Sequence, residues 1–214
     1  VVKSFAGVRH YMDWEKLEAD EGSYSYNPTM SGGWNYDAIY ERCKAAGIEV
    51  LACLKTIPHW LANTYPEGER DGENVPARYG RDLTDPASYI EQAKVGFQYM
   101  ARYGSNTNVN PALLSVHNTP RWNGDNPNTL KIGLGLIKYI ECENERAKWW
   151  KGRKAYQTAR EYAANLSAFY DGHKNTLGPG VGVKNADPSV KVVIGGLASA
   201  SIGSDYVKGM IDWC

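Results

Sequence analysis

The sequence lacks the cysteine and histidine patterns that mark metal centres. Its four cysteines, Cys43, Cys53, Cys142 and Cys214, are far apart, and the 214 residues contain only four histidines. There is no Cys-x-x-Cys pair and no histidine at the spacing of a zinc ligand. Since three of the cysteines fall in apolar segments, we expect buried free thiols rather than a disulfide scaffold. We expect no metal ion and no cofactor.

The sequence also has no excess of one charge sign and no long apolar run. Lysine plus arginine balances aspartate plus glutamate at 24 each, and neither sign forms a long run. A nucleic-acid groove or an anionic membrane surface would require a cationic excess, so neither is an expected partner. No apolar run approaches the ~18 residues that a membrane span needs. Neutral partners are favoured.

The aromatic residues are unevenly distributed among the three types. Phenylalanine is scarce, at 3 residues, whereas there are 7 tryptophans and 15 tyrosines. Tryptophan and tyrosine combine a flat apolar face with a polar edge, which suits binding of sugar rings. The same property suits ordinary boundaries between core and surface, so composition alone leaves both interpretations open.

Strand-like and helix-like segments alternate four times along the chain. Strands are predicted near residues 3–10, 48–54, 135–142 and 190–197. Helical periodicity follows each strand, with a stop at Gly47, an Asp85-Pro86 start, a capping box at Thr158 and Glu161, and a cap at Ser204. This order predicts an α/β fold with a parallel sheet.

A parallel sheet of this kind is either open and doubly wound or closed into a barrel. Open sheets usually bind nucleotides at a glycine-rich turn after a strand, and that turn is absent here. Long polar loops follow the strands instead, where a barrel builds its active site. We therefore predict one partial domain over residues 1–214, about half of a (β/α)₈ barrel. Because a half barrel exposes two strand edges, we expect further chain or a partner protein to close it.

Three acidic residues alternate at the end of the third predicted strand. Glu141, Glu143 and Glu145 are two residues apart, which predicts that they share one side of the strand. Crowded, partly buried carboxylates have raised pKa values, and such a group can act as a general acid near neutral pH. The alternative is that some of them face solvent or pair with Arg146, Lys148 or Arg153.

The same segment resembles the fourth strand of clan A glycoside hydrolases, in which Asn-Glu closes the strand. Residues 138–150 carry this likeness, with Asn144 and Glu145 in the two motif positions. Residues 8–11 resemble the second strand of that clan, residues 53–60 the end of the third, and residues 192–196 the fifth. The overall likeness is nearest to the family 39 group, which includes β-xylosidases and iduronidases. The chain would then hold strands two to five of eight.

The resemblance implies a retaining glycosidase with Glu145 as the general acid/base. It implies that Asn144 binds the substrate and that Arg9 supports the nucleophile, a second glutamate on strand seven, for which this chain has no candidate. Further expected substrate contacts are His10, His59, Trp60 and Trp149. The expected partner is a carbohydrate substrate. The expected location is secreted, periplasmic or at the cell surface.

One departure from the family pattern gives a second hypothesis. Relatives commonly continue Asn-Glu with Pro-Asp, whereas this chain has Arg146 and Ala147. Proline would fix the backbone direction after the catalytic glutamate, and a cation at position 146 could lower the pKa of Glu145. The alternative function is therefore a non-catalytic carbohydrate-binding or structural protein derived from a glycosidase barrel.

Overall fold

The chain forms one parallel four-stranded sheet with its strands in sequence order. The computed structural model describes residues 4–27, 34–118 and 127–214. The strands are β1 (Gly7–Asp13), β2 (Glu49–Lys55), β3 (Tyr139–Cys142) and β4 (Lys191–Ile194). All neighbouring pairs are parallel, in the order β1-β2-β3-β4. The predicted α/β fold with a parallel sheet is confirmed.

Helices connect the strands and cover one face of the sheet. They are α1 (Trp14–Leu17), α2 (Tyr36–Ala45), α3 (His59–Ala62), α4 (Ile90–Tyr103), α5 (Ala159–Asn175), α6 (Val183–Ala186) and α7 (Ala200–Ile211). Met12, Val50 and Ile140 of the sheet are buried against this layer. On the other face, Tyr11 is 46% and Tyr139 41% exposed, and we call this side the open face.

Most predicted helix boundaries are confirmed by the hydrogen bonds at the ends. The Thr158 backbone N–H donates to Glu161 and the Glu161 N–H donates back to the Thr158 hydroxyl, which completes the capping box. The Asp85 carboxylate caps the 3₁₀ turn that leads into α4. The Ser204 cap was wrong, because α7 already begins at Ala200.

The third strand is shorter than predicted because its first half bonds elsewhere. Residues 135–138 are not in the sheet; the backbone N–H groups of Leu136 and Ile137 donate to the Tyr103 carbonyl at the end of α4. The fourth strand ends at Ile194 rather than 197. There the Gly195 N–H donates to the Tyr162 hydroxyl and the Gly196 N–H donates to Glu141. The first strand is shifted to 7–13, and residues 1–3 lie outside the described residues.

The two outer strands each have one unpaired edge within the described ranges. β1 pairs only with β2, and β4 only with β3. The four cysteines are free thiols. Cys53 and Cys142 are buried as predicted, whereas Cys43, which was also expected to be buried, is half-buried. No helix in these ranges is both long and apolar enough to cross a membrane.

Candidate active site at the carboxyl ends of the strands

Alternation along β1 separates its side chains into two groups. His10 points toward the helices, where its ring lies 5.6 Å from that of Tyr36 and its Nδ1 lies 3.1 Å from the Tyr40 hydroxyl. Arg9 and Tyr11 therefore lie on the open face. Burial lowers the pKa of His10. The structure places the His10 ring in the packing between the sheet and the helices.

Arg9 connects three strands of the sheet on the open face. Its Nε donates to Glu141 Oε2 at 2.6 Å, and its Nη2 donates to Asn144 Oδ1 at 2.8 Å and to Cys53 Sγ at 3.4 Å. The hydrogen bond to Glu141 raises the pKa of Arg9, which stays a cation. Burial raises the pKa of the Cys53 thiol, so Cys53 is a neutral neighbour and not a nucleophile.

The contact with Arg9 determines which way the Asn144 amide points. A guanidinium only donates hydrogen bonds, so the atom that faces Arg9 must be the amide oxygen. The Tyr11 hydroxyl also lies 3.4 Å from that oxygen. The Asn144 amide nitrogen has no hydrogen-bond partner among the described residues, and its two N–H donors are available to a ligand.

Glu145 follows directly and has a carboxylate without a partner. It is half-buried, and no hydrogen bond or ion pair to its side chain occurs in residues 4–27, 34–118 or 127–214. A Cβ placed on Gly196 would lie 3.7 Å from Glu145 Cγ, so the side chain rests beside the end of β4. An unpaired carboxylate at the carboxyl edge of a parallel sheet can exchange a proton with a ligand bound there.

The three alternating glutamates do not share one environment, so that prediction was wrong. Glu141 reaches Arg9 on the open face, whereas Glu143 is 1% exposed and pairs with Arg146 at 2.5 Å. Alternation fails because the strand ends at Cys142 and Glu143 and Glu145 have positive φ values of 66° and 51°. Such values are uncommon outside glycine and reverse the direction of the chain locally.

Arg146 likewise does not face Glu145. Its side chain is buried, and its Nη1 donates to the backbone carbonyls of Glu73, Asn74 and Ala155, while its Nη2 donates to Glu143. The guanidinium is therefore committed to Glu143 and to these carbonyls. The expectation that Arg146 opposes an acid role for Glu145 finds no contact in the structure to support it.

The remaining predicted contacts divide into two exposed and one packed side chain. His59 begins α3 after β2, is 81% exposed, and its Nε2 lies 2.8 Å from Glu15. Trp149 is 64% exposed in a 3₁₀ turn four residues beyond Glu145. Both follow carboxyl ends of parallel strands, so His59 and Glu145 lie at the same edge, as predicted. Trp60 instead donates its indole N–H to the Glu18 carbonyl and packs edge-on against Trp14.

Sequence reasoning missed three contributors. Tyr11 lies two residues from Arg9 on the same strand, so alternation could have identified it. Lys55 ends β2 with its Nζ 4.6 Å above the Tyr11 ring, and Gln92 of α4 donates to Glu143 at 2.5 Å. Nothing in the local sequence connects Gln92 with position 143. No cluster of three metal-ligating side chains occurs among the described residues.

Solved structures with a similar fold exist, although the sequence comparisons found no match. No protein family model and no curated protein matches the sequence. The structure is similar to a family 39 glycoside hydrolase from the gut symbiont Bacteroides cellulosilyticus WH2, with a TM-score of 0.52 and 15% identity. This likeness is one of fold. The match covers 98% of this chain but 30% of that protein, so the four strands correspond to part of a (β/α) barrel.

A second solved structure shows a weaker likeness. It is a family 51 α-L-arabinofuranosidase from Bifidobacterium longum, with a TM-score of 0.45 and 13% identity. The match covers 98% of this chain and 34% of the arabinofuranosidase chain. At these identities the similarity describes the fold, and the chemistry has to be argued from the side chains.

Proposed function

We propose that this chain is the part of a retaining glycosidase that carries the general acid/base, Glu145. One observation carries the proposal: Asn144, whose amide Arg9 orients, and Glu145, whose carboxylate has no partner among the described residues, are consecutive residues at the carboxyl edge of the sheet. In parallel α/β barrels, ligands bind at this edge. The proposal includes an extracytoplasmic location, as the resemblance implies.

In the proposed reaction, Glu145 protonates the glycosidic oxygen as the leaving group departs. A second carboxylate, about 5–5.5 Å away in retaining enzymes, attacks the anomeric carbon and forms a glycosyl-enzyme. Glu145 then removes a proton from the water that hydrolyses this intermediate. The second carboxylate is not assigned to a residue of this chain, and retention rests on the resemblance to clan A.

The neighbouring side chains support substrate binding in this proposal. The Asn144 N–H donors would bind the hydroxyl next to the anomeric carbon, in a hydrogen bond that strengthens in the transition state. The exposed Trp149 ring would stack on a sugar, and His59 would bind a hydroxyl at the rim. Since Arg9 is occupied by Glu141 and Asn144, its role is to hold the polar groups in place.

Substitution of Glu145 by glutamine in the full-length protein tests the acid role. Pairs of aryl glycosides that share a sugar and differ in leaving group should be compared over a panel of sugars. Turnover of the poor leaving group should fall by about 10²–10⁴-fold, the usual contribution of general acid catalysis, and activated glycosides should lose less. Azide should partly restore turnover because a small anion can replace the missing base.

A matched control is Glu49→Gln, which changes an exposed glutamate at the amino end of β2, where it pairs with Lys138. This substitution should leave the turnover of both aryl glycosides unchanged. Equal losses for the two leaving groups with Glu145→Gln, or no loss, would contradict the acid role. Binding of oligosaccharides without turnover by the wild-type protein would favour the carbohydrate-binding alternative.

A further inference from the structure

Asn144 and Glu145, which carry the proposed chemistry, are flanked in sequence by a buried ion pair. Glu143 and Arg146 are 1% and 2% exposed in their side chains and form an ion pair across Asn144 and Glu145. In every other charged pair of the described ranges, at least one partner has a side-chain exposure of 15% or more. The buried pair therefore spans the two half-buried site residues.

Both ends of this turn are also bonded to other elements. Gln92 of α4 donates to the second Glu143 oxygen, and the Glu143 carbonyl accepts from Cys53 of β2. On the other side, Arg146 binds the Glu73 and Asn74 carbonyls of the loop after β2. Neighbouring elements thus hold the turn on both sides of Asn144 and Glu145.

The backbone explains why such restraint is needed. Glu143 and Glu145 have left-handed φ values, which non-glycine residues keep only where the surrounding structure determines them. If the turn relaxed, the Glu145 carboxylate would move from its place beside Gly196. A displacement of about 1 Å at a catalytic group can cost about 10²-fold in rate.

We infer that the Glu143–Arg146 pair, with Gln92, is a positioning clamp that aims Glu145 at the substrate. Arg146 fixes the chain direction directly after Glu145. The inference rests on the proposed function of Glu145. It assigns to Arg146 a positioning role, because the guanidinium contacts Glu143 and backbone carbonyls and does not contact Glu145.

The test uses Arg146→Met, which keeps the stem and removes the guanidinium, and Arg146→Lys, which keeps the charge. A lysine ammonium cannot reproduce the planar set of donors that contacts one carboxylate and three carbonyls. Both variants should lose about 10- to 100-fold in kcat on glycosides with poor leaving groups, with less loss on activated glycosides and little change in KM. Azide should partly rescue them.

The matched control is Arg153→Met, because Arg153 is 60% exposed and pairs with Glu161 instead of the turn. It should leave the ratio between the two substrates unchanged. If Arg146 had only a structural role, its substitution would lower kcat equally for the two kinds of glycoside, in proportion to the fraction of protein that is folded. Equal losses in Arg146→Lys, measured at matched folded fraction by circular dichroism, would overturn the inference.

Measurement of Glu145→Gln in the same series separates the two proposals. If Glu145→Gln shows no dependence on the leaving group, the proposed function fails. If Glu145→Gln shows that dependence and Arg146→Lys does not, the proposed function stands and only the clamp is wrong.

Discussion

Removal of the Arg9 guanidinium is the perturbation that most directly tests the organisation of the open face. Arg9→Met keeps an unbranched side chain but removes the donors to Glu141, Asn144 and Tyr11. Glu141 is 4% exposed, so its carboxylate would lose its only ionic partner among the described residues. It would retain the N–H of Gly196.

The cost to the free energy of unfolding follows from this geometry. Breaking a fully buried ion pair costs about 3–5 kcal/mol, and a hydrogen bond to a charged group contributes about 1.5–3 kcal/mol. Because the Arg9 side chain is 36% exposed, solvent screens the pair and the lower value applies. We expect a loss of about 2 kcal/mol in the free energy of unfolding of the full-length protein.

The same substitution should also affect the reaction. Without Arg9 the Asn144 amide can rotate, and its N–H donors no longer have one fixed direction. We expect a fall in kcat/KM of about 10-fold or more, since loss of one transition-state donor typically costs about 10²–10³-fold. Arg9→Lys should recover stability better than activity, because one ammonium cannot reach both Glu141 and Asn144.

Urea unfolding followed by tryptophan fluorescence, together with initial rates on aryl glycosides, would measure both effects. Lys138→Met is the control, because Lys138 forms an exposed pair with Glu49 at the opposite edge. Exposed pairs contribute about 0–1 kcal/mol. If Arg9→Met were as stable and as active as Lys138→Met, the open-face network would have no role in either property.

Two further predictions concern stability. Burial alone would raise the pKa of Asp37, but hydrogen bonds from Arg102 and Lys131 outweigh burial and lower it to about 2. The contribution of ionised Asp37 to the free energy of unfolding should therefore be complete above about pH 4 and disappear toward pH 2. In urea titrations, Asp37→Asn should lower the free energy of unfolding by about 2 kcal/mol at pH 7 and by little at pH 2. Residues 1–214 expressed alone should not unfold cooperatively as a monomer, because β1 and β4 leave backbone groups unpaired in the described ranges; a sharp, concentration-independent melt would refute this.

The order of elements and the edge of the sheet that holds the candidate site could be predicted from the sequence, because they depend on local rules. Apolar periodicity and the Thr158–Glu161 capping box set helices and strands, and parallel strands bring Glu145 and His59 to one edge. The Asn144-Glu145 pair was identified through its likeness to clan A glycosidases.

Only the tertiary structure decided which side chains meet. Alternation predicted one environment for Glu141 and Glu143, but the left-handed backbone after Cys142 turns Glu143 toward Gln92 and Arg146. Likewise, β-strand periodicity applied to His10 as well as to Arg9, and packing against α2 determined which of them faces the helices. The contacts of Gln92 with Glu143 and of Arg9 with Glu141 join residues 51 and 132 positions apart. Such contacts carry no local sequence signal, because they arise when separate elements pack together.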